Sequence, residues 1–177
     1  MKKHRRKTAG RLSALLSLLL VATMAQPLFQ TRAAENDVTM DGNVTWSYLD
    51  DGSDPAGDST TAGYDRTSWT KDDYDISAWK TATGPFGAKK GKINDLGGGC
   101  TPKTLLTQYK ADGTTDIEAF FFRTDVTIPD ASKVTKISGS VIYDDAATVY
   151  VNGVKIAGFD DDSITGNLQY GGSNAGD

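Results

Sequence analysis

The sequence predicts an all-β fold, an antiparallel β-sandwich, and three observations carry that expectation. Residues 119–128 (AFFFRTDVTI) alternate, with Phe120, Phe122, Val126 and Ile128 on one side and Arg123, Asp125 and Thr127 on the other. That period of two marks a half-buried strand. Asn152-Gly153 separates two β-branched runs, 147–151 and 154–157. A two-residue turn with positive φ at both positions favours that dipeptide, so a hairpin is expected there. Elsewhere short apolar runs are separated by turn signals, and helical periodicity is nearly absent.

The elements follow in chain order. Residues 44–49 (VTWSYL) open the domain as a strand. Residues 50–63 (DDGSDPAGDSTTAG) are dense in Asp, Gly, Ser and Pro, the residues that turn chains. Residues 64–74 carry Trp69 in an aromatic-polar connection, and 77–82 form a short strand. Gly84-Pro85-Phe86-Gly87 is a turn, and 91–102, with three successive glycines, is a loop. Residues 104–110 suit one or two turns of helix. After the 119–128 strand, Pro129-Asp130 stops the chain, and 134–143 form a further strand with Ile137, Gly139, Val141 and Tyr143 on one side. The last residues, 167–177, have loop composition with no closing strand, which leaves the expected sandwich incomplete at that end.

The first 34 residues stand apart. A basic start (Lys2, Lys3, Arg5, Arg6, Lys7, Arg11) precedes a short apolar run and an exit at Ala33-Ala34. This is the pattern of a secretory signal peptide, and the run is short of the roughly 20 apolar residues of a membrane span. An uncleaved anchor is the alternative. The expected organisation is a signal at 1–34 and one β-sandwich domain at 35–177, secreted or held at the cell surface. The signal holds seven of the 19 Lys and Arg and no acid, so residues 35–177 carry 12 cations against 23 acids, a net charge of −11. Nucleic acid and anionic membrane are therefore poor partners.

The only histidine, His4, lies in the signal. Residues 35–177 thus lack Ser-His-Asp or Cys-His catalysis, His-ligated zinc and the His-rich sites of dinuclear phosphoesterases. Cys100 has no second cysteine to bond and no histidine to activate it. Residues 87–93 (GAKKGKI) fail as a phosphate loop, because Ile93 stands where Ser or Thr must meet magnesium. No spacing of carboxylates selects a hydrolytic pair. Asp50, Asp51, Asp54 and Asp58 offer hard oxygen ligands for a structural calcium, although they miss the EF-hand spacing and also suit a solvated turn. Asp160-Asp161-Asp162 is a weaker case of the same kind. Trp46, Trp69 and Trp79 are expected chiefly in the core.

Three ordered segments resemble one family. They are Trp46-Ser47-Tyr48-Leu49-Asp50-Asp51, continuing to Trp69, Asp75-Ile76-Ser77-Ala78-Trp79 and Gly84-Pro85-Phe86-Gly87; then Phe121-Phe122-Arg123-Thr124; then Tyr143-Asp144-Asp145-Ala146-Ala147-Thr148-Val149-Tyr150-Val151-Asn152-Gly153. Together they resemble the galactose-binding-like jelly-roll modules of secreted bacterial proteins, over most of residues 46–159. The pattern departs at Ala146, where the family has Gly, and at Val126, where it has an aromatic residue; the family's closing strands have no counterpart. The variant with the 97–99 glycine loop is most similar to modules that precede calcineurin-like metallophosphoesterase domains in Gram-positive secreted proteins.

The expected function is a non-catalytic, carbohydrate-binding-like accessory module at the N-terminus of a secreted multidomain hydrolase, with a metallophosphoesterase as the parent the resemblance implies. The alternatives are a free-standing glycan-binding protein and a structural adhesin module. The expected partners are an extracellular glycan and downstream domains of the same chain, with no membrane contact after signal cleavage. Asp144, Asp145, Asn152 and Arg123 are the candidate ligand-binding residues. A structural reading competes at each: the aspartates hold a tight corner, Asn152 turns the hairpin, and Arg123 pairs with a carboxylate.

Overall fold

The computed structural model describes residues 43–136 and 139–169. The expected signal at 1–34, Ile137 and residues 170–177 lie outside them. Among the described residues the chain is built of short strands and turns, with two single-turn 3-10 segments as its only helical elements, Ser68–Thr70 and Ala131–Lys133. No helix among them is long and apolar enough to cross a membrane. The fold is all-β.

Strand β1 (Thr45–Leu49) is central to the largest sheet, in which β2 (Lys80–Thr83) and β5 (Phe121–Arg123) pair with it on either side, both antiparallel. Residues directly opposite each other share a face, and successive residues alternate. Tyr48 lies opposite Lys80 and Phe122, and Leu49 lies opposite Phe121. One face therefore gathers Tyr48 and Phe122, and Phe86 packs onto both, at ring-centroid distances of 5.2 and 4.9 Å. The other face presents Phe121, whose ring meets Trp69 edge-on at 5.1 Å. Each such pair contributes about 0.5–1.5 kcal/mol beyond the area it buries.

Strands β3 (Phe86–Gly87) and β4 (Thr104–Leu105) form a two-residue parallel pair. It follows a cis Gly84-Pro85 bond, and the Pro85 carbonyl accepts from both Lys103 N–H and Thr104 N–H. Strands β6 (Ala147–Val151) and β7 (Val154–Phe159) form the hairpin. Its corner has φ of 46° at Asn152 and 83° at Gly153, the left-handed values that the Asn-Gly signal predicts.

Trp69 links the hairpin to the sheet. Its ring also meets Tyr150 of β6 edge-on at 6.0 Å and tilts against Trp79 at 6.2 Å, while Tyr74 packs on Trp79 at 6.1 Å. Hydrogen bonds reinforce the link. Gly153 N–H donates to the Thr70 carbonyl, and Arg66 Nη1 donates to the Ile164 carbonyl. Asn167 Nδ2 reaches both Asp54 Oδ1 and the Arg66 carbonyl, each at 2.8 Å.

Several expectations need correction. Residues 104–110 are not helical; the segment starts as β4 and continues without regular structure to an isolated bridge from Tyr109 to Asp116. The 77–82 strand begins only at Lys80, because Asp75 Oδ1 accepts from Ser77 N–H and Trp79 N–H closes a turn onto the Ile76 carbonyl. Half of the Gly84–Gly87 turn is strand β3. Of the ten residues 119–128, three are paired, and the buried aromatic is Phe121 rather than its neighbours on the expected apolar side. Val126 and Ile128 are each 38% exposed. No strand forms in the described part of 134–143, where Val141 is exposed and Ile142 is 84% exposed. Alternation supplies a face, but a strand also needs a neighbour to receive its backbone hydrogen bonds.

Candidate functional site

The four carboxylates considered for calcium are held apart, each by its own partners. Asp50 is almost fully buried at the end of β1. Its Oδ1 lies 2.7 Å from Lys80 Nζ and takes no other bond, while Oδ2 accepts from Thr107 N–H at 2.8 Å. Burial pushes this carboxyl upward, but the Lys80 ammonium and the Thr107 N–H outweigh it, and the net direction is below the ordinary carboxylate range. Asp51 Oδ1 accepts from Ser53 N–H and its hydroxyl, and Asp58 Oδ1 does the same for Thr60. Asp54 Oδ1 accepts from Ala56 N–H and Asn167, and its Oδ2 takes the Tyr64 hydroxyl at 2.6 Å. Burial, followed by that bonded carboxylate, pushes the Tyr64 phenol up to about 12. Among the described residues no three His, Cys, Asp or Glu side chains gather where they could hold a metal ion. The aspartate-rich loop acts as a fastening for turns and for the 164–167 segment.

Two of the four candidate ligand residues are brought together. Arg123 Nη1 donates to the Trp69 carbonyl at 3.0 Å, and the Asn152-Gly153 corner donates to the next carbonyl, that of Thr70, at 3.0 Å. Both grip the same 3-10 turn. The carboxylate expected for Arg123 is replaced by a main-chain oxygen. Asp144 and Asp145 sit at the other end of β6, in a bend where Asp144 is exposed and Asp145, half-buried, adopts φ of 70°. Beside them Tyr143 donates its hydroxyl to Asp160 Oδ2 at 2.9 Å, which raises the phenol. Asp161, next in the chain, is buried under the hairpin. Its Oδ2 accepts from Thr148 Oγ1 and lies 2.7 Å from Lys155 Nζ. The bond to Lys155, then that to Thr148, holds the Asp161 carboxyl below the usual range. A Cβ at Gly158 would come within 2.2 Å of Asp161 Oδ1, so glycine leaves room for this anchor.

A depression in the described surface lies elsewhere. It is an open cleft of about 310 Å³ lined by Gly91, the run Leu105 to Lys110, and Gly113. Its wall is fastened from behind. Thr107 N–H is held by Asp50, and Gln108 Oε1 accepts Gly91 N–H at 2.8 Å. The Gln108 carbonyl takes Ile117 N–H. The edge of the Tyr109 ring lies against Gly91, where a Cβ would stand 3.4 Å from Cε2. Leu105 is 43% exposed, so the cleft combines an aliphatic and an aromatic surface with the polar ends of Thr107, Gln108 and Lys110. A cleft of this type orients a ligand through a few polar groups on an apolar floor.

None of these cleft residues was among the sequence candidates. The available signal was the consecutive Gln108-Tyr109-Lys110, an amphipathic aromatic between two long polar side chains, which the helical reading of 104–110 concealed. Neither the protein-family models nor the curated proteins nor the solved structures include a match to this chain.

Proposed function

We propose that the chain is a non-catalytic accessory module that binds an extracellular glycan through the Leu105–Lys110 cleft. In this reading the β2-β1-β5 sheet and the β6–β7 hairpin are parts of a β-sandwich of the galactose-binding-like jelly-roll kind. The module serves a secreted multidomain hydrolase, the parent being a metallophosphoesterase of the kind the motif resemblance implies. The observation that carries glycan binding is the cleft itself, where Tyr109 and Leu105 offer apolar surface to a sugar face and Thr107, Gln108 and Lys110 offer polar groups to its hydroxyls. The absence of histidine from residues 35–177 supports a binding role over general acid–base hydrolysis.

The test is retention of the exported protein on a panel of immobilised polysaccharides, compared with Tyr109→Ala. At least one polysaccharide is expected to retain the wild type, and Tyr109→Ala is expected to lose about tenfold in affinity, the scale of one lost aromatic contact. Thermal melts check that the variant folds. Retention unchanged by Tyr109→Ala rules out this cleft, and retention by none of the panel rules out the glycan reading.

A further inference from the structure

The cationic charge of residues 35–177 is concentrated beside the cleft. Residues 80–110 hold six lysines (80, 89, 90, 92, 103 and 110) and one acid, Asp95, a net charge of +5. The rest of 35–177 then has six cations against 22 acids, a net charge of −16. Among the described residues only Lys80 of the six is ion-paired, to the buried Asp50. Lys89, Lys90 and Lys92 crowd one tight turn. Lys89 N–H donates to the Lys92 carbonyl at 2.9 Å and Lys92 N–H returns the bond at 3.3 Å, so the two side chains leave the same face of the ladder. Like charges placed opposite each other destabilise such a pair. The corner residue Lys90 adopts φ of 56°, a left-handed value that Asn or Gly takes more readily.

This turn is anchored to the cleft. Gly91, between Lys90 and Lys92, is a lining residue, is bonded to Gln108 and touches Tyr109. Lys110 lines the same cleft. The nearby carboxylates face other groups: Asp112 accepts from Thr114 N–H and from the N–H and hydroxyl of Thr115, and Asp116 lies 3.4 Å from Gln108 Nε2. Like-charge repulsion is thus concentrated where an anionic ligand would relieve it.

We propose that the cleft takes a polysaccharide bearing ring carboxylates, with its sugar face on Tyr109 and Leu105 and its anions on Lys110 and the Lys89–Lys92 turn. The inference rests on the glycan reading of the same cleft and specifies its class. A sparse polyanion suits a small cationic patch on an otherwise acidic molecule. Nucleic acid, with one charge per about 1.7 Å of duplex, would extend into the acidic surroundings.

The experiment titrates the exported protein with polygalacturonate and with its methyl-esterified form, at about 50 and 200 mM salt. The expected result is at least tenfold tighter binding of the acid form, weakened several-fold by the higher salt, because exposed charges are screened. The Lys90→Asn, Lys92→Gln double variant is expected to lose most of that preference, to keep weak binding to the ester, and to melt no lower than the wild type. Lys133→Gln, away from the cleft in sequence, should bind as the wild type does. Equal binding of the two forms, or an unchanged preference in the double variant, overturns the anionic assignment and leaves the glycan reading standing. Binding of neither form overturns the assignment, and the wider polysaccharide panel then decides the glycan reading separately. Comparable binding of duplex DNA makes the patch a general polyanion surface and also overturns it.

Discussion

The β6–β7 hairpin and the 119–128 segment both read as strand in the sequence, yet the first pairs along its length and the second pairs over only three residues. The hairpin brings its own partner. Asn152-Gly153 returns the chain at once, and every residue of β6 finds an opposite number in β7, with one irregularity at Val149/Tyr150. The 119–128 segment depends on β1, more than 70 residues earlier, and only Ser47 to Leu49 receive it. Beyond Arg123 the main chain leaves the sheet, and Val126 and Ile128 remain partly exposed. A local turn thus gives pairing that alternation alone does not.

Trp69→Ala should have the largest effect on this comparison, because Trp69 touches Phe121 of one region and Tyr150 of the other. A loss of about 3 kcal/mol is expected, at the low end for an aromatic truncation because the ring is only half-buried. Hydrogen exchange should show the hairpin opening before β1. If β1 and the hairpin still open together, Trp69 is not what couples them.

Next in size are the two buried aspartates, Asp50 under the sheet and Asp161 under the hairpin, each matched to a half-exposed lysine. Asp50→Asn should cost about 2 kcal/mol near neutral pH, the scale of a charge-assisted hydrogen bond. Both carboxyls lie below their ordinary value when folded, so the unfolded chain binds protons more readily. Their contribution is complete above the ordinary carboxylate range, about pH 4, and is lost as pH falls through the lower folded values. Urea midpoints of wild type and Asp50→Asn should therefore converge on acidification. A gap that does not narrow at all on acidification would place the effect in packing.

The smallest effect is expected from Ile128→Thr, below about 0.5 kcal/mol, since the side chain is 38% exposed and outside any strand. A urea midpoint showing a loss above about 1.5 kcal/mol would mean that the end of 119–128 packs as its alternation implies.

What was legible in the sequence follows the same division. The hairpin and the aspartate turns depend on residues within a few positions, and each is foreshadowed by its own composition. Phe121's burial, Arg123's grip on the Trp69 carbonyl and Asp50's pairing with Lys80 depend on partners 30 to 72 residues away, which periodicity does not encode. The cleft was hidden for a related reason. Thr104 to Lys110 reads as one or two turns of helix by composition, but the Pro85 carbonyl captures Thr104 N–H, the Gly87 carbonyl captures Leu106 N–H, and Asp50 captures Thr107 N–H, so these groups are taken from any helical ladder. The calcium reading counted acidic residues without the donors that occupy them.

The bonds from Asn167 to Asp54 and Arg66 also set a clock on synthesis. Asp54 leaves the ribosome 113 residues before its amide partner. At about 5–20 residues per second, the aspartate loop waits roughly 5–20 s with its long-range acceptors facing water. During that interval its turns have bonds to nearby residues alone, among them Ser53, Ala56, Thr60 and Tyr64. The density of short acidic residues in 50–58 therefore serves two stages, shaping the loop while it waits and receiving the 164–167 segment when it arrives.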